Sequence, residues 1–180
     1  MHVKELGLSG MYLIWGDPYS DERGVFRRHF CDKSLAEHGI DFAVRQGNLS
    51  ENFKQGTLRG FHFQKPPHAE QKILTVLSGS LFNVTVDLRP QSPTYLQKVV
   101  LELNAQSRQS VLLPAGTANA FVTLSDQVLV HYYMSEPFNA DSYQGFHYAD
   151  PDLAIEWPVE IRCISERDAG LPTLRQAGFL

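Results

Sequence analysis

The chain has 180 residues, 43% of them hydrophobic, enough for one domain that buries roughly 70% of its unfolded surface. Lys and Arg number 16 against 20 Asp and Glu, a formal charge of -4 that excludes the basic balance of a nucleic-acid binder. Cys31 and Cys163 stand alone and far apart, which leaves neither a zinc ribbon nor a disulfide framework. No apolar run approaches the roughly 20 residues that span a bilayer, and Met1–Gly10 lacks a signal-peptide core; a cytoplasmic protein with no membrane partner is the expectation.

In chain order the sequence is a succession of short β-branched and aromatic runs broken by Gly, Pro, Asn and Asp. They are Met11–Trp15, Val25–Phe30, Phe42–Asn48, Thr57–Phe63, Gln71–Leu77, Leu81–Leu88, Lys98–Leu103, Ser110–Leu113, Ala120–Leu124, Gln127–Met134 and Glu160–Ile164. Only Ser34–His38 reads as helix, capped by Ser34 or Asp32 and ended by Gly39. Gly79-Ser80 between two runs predicts a type II′ hairpin. No helix of crossover length separates the strands, so mostly antiparallel sheets closing into a sandwich or jelly-roll barrel are expected, with residues from about 150 to 180 wrapped around it.

The densest polar signal is Gly56–Gln64, followed by Glu70-Gln71-Lys72 and Gly79. Strand parity puts His62 and Gln64 on one face and Phe61 and Phe63 on the other. The spacing resembles the first cupin motif, in which two His and a Glu bind a metal inside a jelly roll, with Gln64 and Lys72 where two of those ligands stand. Pro114–Asn119 resembles the second motif, with Asn119 where its His stands. An amide pair and an ammonium do not replace imidazole and carboxylate, so no metal is expected. Lys72 shares parity with Leu74 and Val76, which aims its charge inward, a costly placement unless paired or functional. Tyr132 shares parity with Val128, Val130 and Met134 and is the inward phenol of the Tyr132-Tyr133 pair.

The stretches Asp21–Phe26, Gln46–Ser50, Leu58–Gln64, Val86–Tyr95, Leu113–Gly116, Asp150–Pro158 and Ser165–Asp168 together resemble the dTDP-4-dehydrorhamnose 3,5-epimerase family. The resemblance implies a cupin-type double-stranded β-helix with short peripheral helices. It also implies a homodimer without cofactor, acting on a nucleoside-diphosphate 4-keto-6-deoxyhexose. It makes His62 the base, Asp168 its orienting carboxylate, Tyr132 the acid and Lys72 the partner of the substrate oxygen. Arg23, Phe26, Gln46, Asn48, Arg59, Gln64, Asn119, Phe138 and Arg167 fall on its substrate-binding side, Phe138 as the residue placed to stack on the base.

The chemistry fits these types. Hydrogens beside a ketone are weakly acidic because the carbanion delocalises as an enolate. An imidazole can take one near neutrality, a carboxylate fixes its tautomer, an ammonium stabilises the enolate oxygen, and a phenol returns a proton. Arginines suit a diphosphate. Three departures stand out: Asn119-Ala120 replaces the family's usual His-Gly, Arg28 replaces Glu, and no acidic residue near Tyr143-Gln144 matches the family's Glu. They point to a changed substrate: a CDP- or GDP-linked sugar, a sugar other than the rhamnose precursor, or inversion at one carbon only. A metal-dependent cupin and a non-catalytic sugar-nucleotide binding protein are the readings from other classes.

Overall fold

The structure is a computed structural model and describes residues 1–180. Its strands are β1 (His2–Glu5), β2 (Tyr12–Trp15), β3 (Pro18–Asp21), β4 (Gly24–Arg27), β5 (Gln46–Asn52), β6 (Leu58–Gln64), β7 (Lys72–Ser78), β8 (Ser80–Asp87), β9 (Lys98–Asn104), β10 (Ser110–Leu113), β11 (Thr117–Thr123), β12 (Val128–Met134) and β13 (Tyr143–Gly145). Two short α-helices, α1 (Asp32–Ala36) and α2 (Glu166–Ala169), lie outside the sheets. A six-stranded sheet in the order β1-β2-β10-β7-β12-β5 faces a five-stranded sheet in the order β13-β6-β11-β8-β9. All ladders are antiparallel, and this is the jelly roll expected from the run of short strands.

Strand alternation divides the apolar residues into three clusters. Leu74, Val76, Leu81, Val111, Phe121, Val128 and Val130 belong to one that fills the barrel interior at one end. Ile73 and Leu112, of opposite parity, pack outside the six-stranded sheet with Leu35 of α1, Ile40 and Phe42. On the far side Phe61, Phe63, Val84 and Val86 pack with Phe146, Leu153 and Leu174, where stacked rings of Phe61 and Phe146 sit 4.4 Å apart. Burying each such side chain contributes roughly 1.5–3 kcal/mol. The chain beyond β13 therefore forms the outer lid of the five-stranded sheet. It is tied there by Asp150, whose carboxylate accepts the Leu174 N–H at 2.7 Å and the Asp152 N–H at 2.9 Å.

Several expectations need correction. Gly79-Ser80 is not a hairpin: β7 and β8 belong to different sheets, and the turn is a corner where the chain crosses between them. Gly79 adopts a φ of +74°, and a Cβ there would meet Ser125 Oγ at 2.6 Å, so the glycine serves a close approach and not a two-residue loop. Residues Glu160–Ile164 form no strand and touch a sheet only through the Thr57–Cys163 bridge. The strand expected over Phe42–Asn48 begins at Gln46, because Phe42 is drawn into the cluster under α1. That helix starts two residues earlier than Ser34, and its N-cap, Cys31, makes no side-chain capping bond. The strands β1, β3 and β13 had no signal in the sequence; β3 and β4 make a separate two-stranded ribbon.

Candidate active site

The barrel end left unfilled by the interior cluster opens as a cavity of about 630 Å³. Its two walls are the two sheets. On the five-stranded side β6 carries an extra residue, since Asn119 pairs with His62 but Phe121 pairs with Arg59. This bulge turns Arg59 and His62 to the same face although simple alternation would separate them, and both line the cavity. The bulge presses Gly60 against β11, where a Cβ would lie 2.5 Å from Ala120 Cα, so only glycine fits. It also frees the Gly60 N–H to donate to Asp168 Oδ2 at 3.1 Å.

Asp168 sits on α2 and is 4% exposed. Its other oxygen accepts from His62 Nε2 at 2.7 Å, and Ser165 caps the helix by accepting the Asp168 N–H. Burial alone would raise the Asp168 pKa, but the bonds from His62, Gly60 and Ser165 outweigh it and hold the carboxyl below its ordinary value. A carboxylate only accepts, so Nε2 carries a proton and Nδ1 is the free, basic nitrogen of the neutral ring.

The six-stranded sheet supplies the facing wall. Tyr132 on β12 and Lys72 on β7 both line the cavity, as parity indicated. Burial, with Glu70 assisting and Arg59 opposing, raises the Tyr132 pKa, so the phenol stays protonated. Lys72 Nζ is 2.8 Å from Glu70 Oε1, with side chains 15% and 3% exposed, which answers how an inward ammonium is tolerated. Glu70 also accepts the Gln64 N–H at 3.2 Å. Asn48 and Gln46 on β5 bond to each other at 2.9 Å, and Gln46 Oε1 accepts the Phe138 N–H at 2.9 Å.

Asn119 lies beside His62. Its Nδ2 donates to Asn83 Oδ1 at 2.6 Å and to the Val84 carbonyl at 3.2 Å, which fixes the amide and leaves its oxygen without a partner in the chain. Gln64 also lines the cavity but is only 1% exposed. Its amide is spent on the His68 and Pro137 carbonyls and the Asn139 N–H, so it braces the loop that carries Phe138. Arg59 Nε donates to Asn52 Oδ1 at 2.8 Å.

Thus His62, Gln64, Lys72, Tyr132, Asn119, Gln46, Asn48, Arg59, Phe138 and Arg167 share one cavity, with Asp168 directly behind His62. Arg23 and Phe26 do not join them. They stand on the β3–β4 ribbon, Phe26 at 76% exposure and Arg23 paired with Asp21, because that ribbon projects from the barrel as its own small sheet. Among the cavity residues without an assigned role in the sequence, Glu70 and Tyr143 stand out, Glu70 for its ion pair with Lys72 and Tyr143 for its ring beside His62. Glu70 shares parity with Lys72, a signal that would have found it. Tyr143 rides on the short β13, which has no periodicity to read. No three His, Cys, Asp or Glu side chains gather where they could hold a metal ion.

An imidazole–carboxylate pair on one wall faces a phenol and an ammonium on the other, and this site on a cupin jelly roll marks the class, an isomerase. The family model of dTDP-4-dehydrorhamnose 3,5-epimerase matches residues 5–176. The Bacillus anthracis dTDP-4-dehydrorhamnose 3,5-epimerase, whose structure holds TDP and PPi, is 36% identical, superposes with a TM-score of 0.93 and covers 96% of this chain and 99% of its own. The Legionella pneumophila enzyme in complex with dTDP-4-keto-L-rhamnose is 32% identical, with a TM-score of 0.91 over 99% of this chain and 96% of its own. A dTDP-4-dehydrorhamnose 3-epimerase of Streptomyces niveus is 35% identical over 100% of this chain and 88% of its own length. The chain belongs to the dTDP-4-dehydrorhamnose 3,5-epimerase family.

Proposed function

We propose that the protein epimerises a dTDP-linked 4-keto-6-deoxyhexose at C5, C3 or both, in deoxysugar biosynthesis. The observation that carries this reading is the placement of His62, backed by Asp168, across one cavity from Tyr132 and Lys72. His62 Nδ1 takes the proton from a carbon beside the C4 ketone. The electron pair moves into the enolate, whose oxygen is stabilised by the Lys72 ammonium. Tyr132 then gives its proton to the opposite face of the same carbon, so configuration inverts. Asp168 keeps the imidazole in the right tautomer and stabilises its charged form. The nucleotide is read from the TDP and dTDP-sugar complexes of the relatives.

The protein works as a homodimer in this reading. Arg23 and Phe26 fall on the family's substrate-binding positions yet do not line their own chain's cavity; in a dimer they would meet the substrate of a second copy. Incubation with dTDP-4-dehydro-6-deoxyglucose in deuterated water should place deuterium at C5, C3 or both. No deuterium at either carbon, with dTDP-, CDP-, GDP- or UDP-linked substrates alike, would overturn the proposal. Exchange at C3 alone would favour the single-centre reading, for which the Streptomyces niveus relative is a precedent.

A further inference from the structure

Tyr143 is a half-buried side chain in the cavity whose hydroxyl makes no hydrogen bond within the chain and whose ring carries three neighbours. Its strand pairs Tyr143 with Gln64, bringing its ring centroid to 5.0 Å from that of His62. Phe138 meets it edge-on at 5.1 Å. The Arg167 guanidinium lies over its face, with Cζ 4.2 Å from the ring centroid. Arg167 is exposed and forms no ion pair, because the adjacent carboxylate of Asp168 turns inward to His62 and Gly60.

That the group under Arg167 is an aromatic ring and not a carboxylate matters electrostatically. A carboxylate under Arg167 would hold the guanidinium and cancel its charge. The face of a phenol ring also holds a guanidinium, through the ring quadrupole, and leaves the charge and the planar fork of N–H donors free. Burial raises the Tyr143 pKa, so the platform itself stays neutral. We propose that Tyr143 is a positioning residue for the diphosphate: its ring holds Arg167 at the cavity mouth, aimed and un-neutralised, for bidentate capture of phosphate oxygens. This rests on the nucleotide-sugar reading above.

A double-substitution cycle tests it, with dTDP and uncharged thymidine titrated into the unaltered protein, Tyr143→Leu, Tyr143→Phe, Arg167→Ala and the Leu/Ala double variant. Loss of the ring should weaken dTDP about three- to tenfold when Arg167 is present and by less than about twofold when it is absent. Tyr143→Phe keeps the ring and should retain most of the affinity; thymidine, which has no phosphate, should bind Tyr143→Leu as it binds the unaltered protein. In turnover the Tyr143→Leu loss should fall on KM more than on kcat. Equal weakening with and without Arg167, a Phe variant as poor as Leu, or parallel loss of thymidine would overturn the role assigned to Tyr143 while leaving the epimerase reading intact. An unaltered protein that binds dTDP no better than thymidine would instead overturn the nucleotide reading, and this role with it.

Discussion

The two walls of the cavity are built by different means. The wall of Tyr132, Lys72, Asn48 and Gln46 is made of strands in regular register where they face the cavity, with Tyr132 opposite Asn48 and Leu74, and Met134 opposite Gln46 and Lys72; the ladder between β12 and β7 slips only beyond, at Leu129. Each side chain reaches the cavity through simple alternation, and its charge is balanced nearby, Glu70 standing two residues from Lys72. The wall of His62 depends on a bulge, a glycine that admits no Cβ, and a carboxylate brought from 106 residues away. The wall proposed to supply the acid is thus set by local pattern and the wall proposed to supply the base by tertiary assembly. The residue that must discriminate between two ring nitrogens is the one held by the more elaborate construction.

The sharpest test of this division is His62→Ala, which should lower solvent deuterium exchange at least about a thousandfold, measured by mass spectrometry or NMR of the sugar. Tyr132→Phe should behave differently: exchange driven from the His62 side persists, whereas formation of inverted product falls about a hundredfold. If both variants lost exchange equally, the two walls would not have separate tasks. Asp168→Asn addresses the assembly of the base wall. It removes a buried carboxylate that accepts charge-assisted bonds, at a cost of about 2 kcal/mol in unfolding free energy at pH 7. The folded pKa of Asp168 lies below its unfolded value near 3.9. Its contribution is therefore complete above about pH 5 and is lost as pH falls through the lower folded value. The stability gap between the unaltered protein and Asp168→Asn, followed by urea unfolding, should close below about pH 4; a gap unchanged down to pH 3 would contradict the ionised pair. The smallest effect belongs to Asn119→Leu, which removes the fixed acceptor beside His62 and should lower kcat/KM about tenfold for a sugar with hydroxyls at C2 and C3. The loss should shrink for the matching 2-deoxy or 3-deoxy substrate.

The contrast between walls also explains what the sequence made legible. Tyr132 and Lys72 could be placed because period-two alternation holds from Val130 to Met134 on β12 and from Lys72 to Val76 on β7, and the same rule separated His62 and Gln64 from Phe61 and Phe63. Arg59 could not be put beside His62 by alternation, since the bulge that aligns them is visible only once β11 is laid against β6. The Gly79-Ser80 turn looked like a hairpin because a tight glycine turn between two strands has the same local chemistry whether the strands pair or part. Asp168 came from family resemblance alone; nothing local in Ser165–Asp168 points to a histidine so far back in the chain. Other family-like stretches turn out to hold the barrel and not the site. Asp87, fully buried, accepts from Arg89, Ser92 and Thr94, so that motif is a charge knot at the end of β8.

The distance between His62 and Asp168 has a consequence for how the protein comes into being. A chain is synthesised from its N-terminus, and its early segments fold as they emerge. Every barrel strand, from His2 to Gly145, precedes α2. The growing polypeptide can therefore enclose its cavity, with phenol, ammonium and imidazole already inside, before the carboxylate that orients the imidazole has been made. In the proposed mechanism proton abstraction is armed last, by the segment that also seals the outer face of the five-stranded sheet, so completion of the fold and onset of activity become one event.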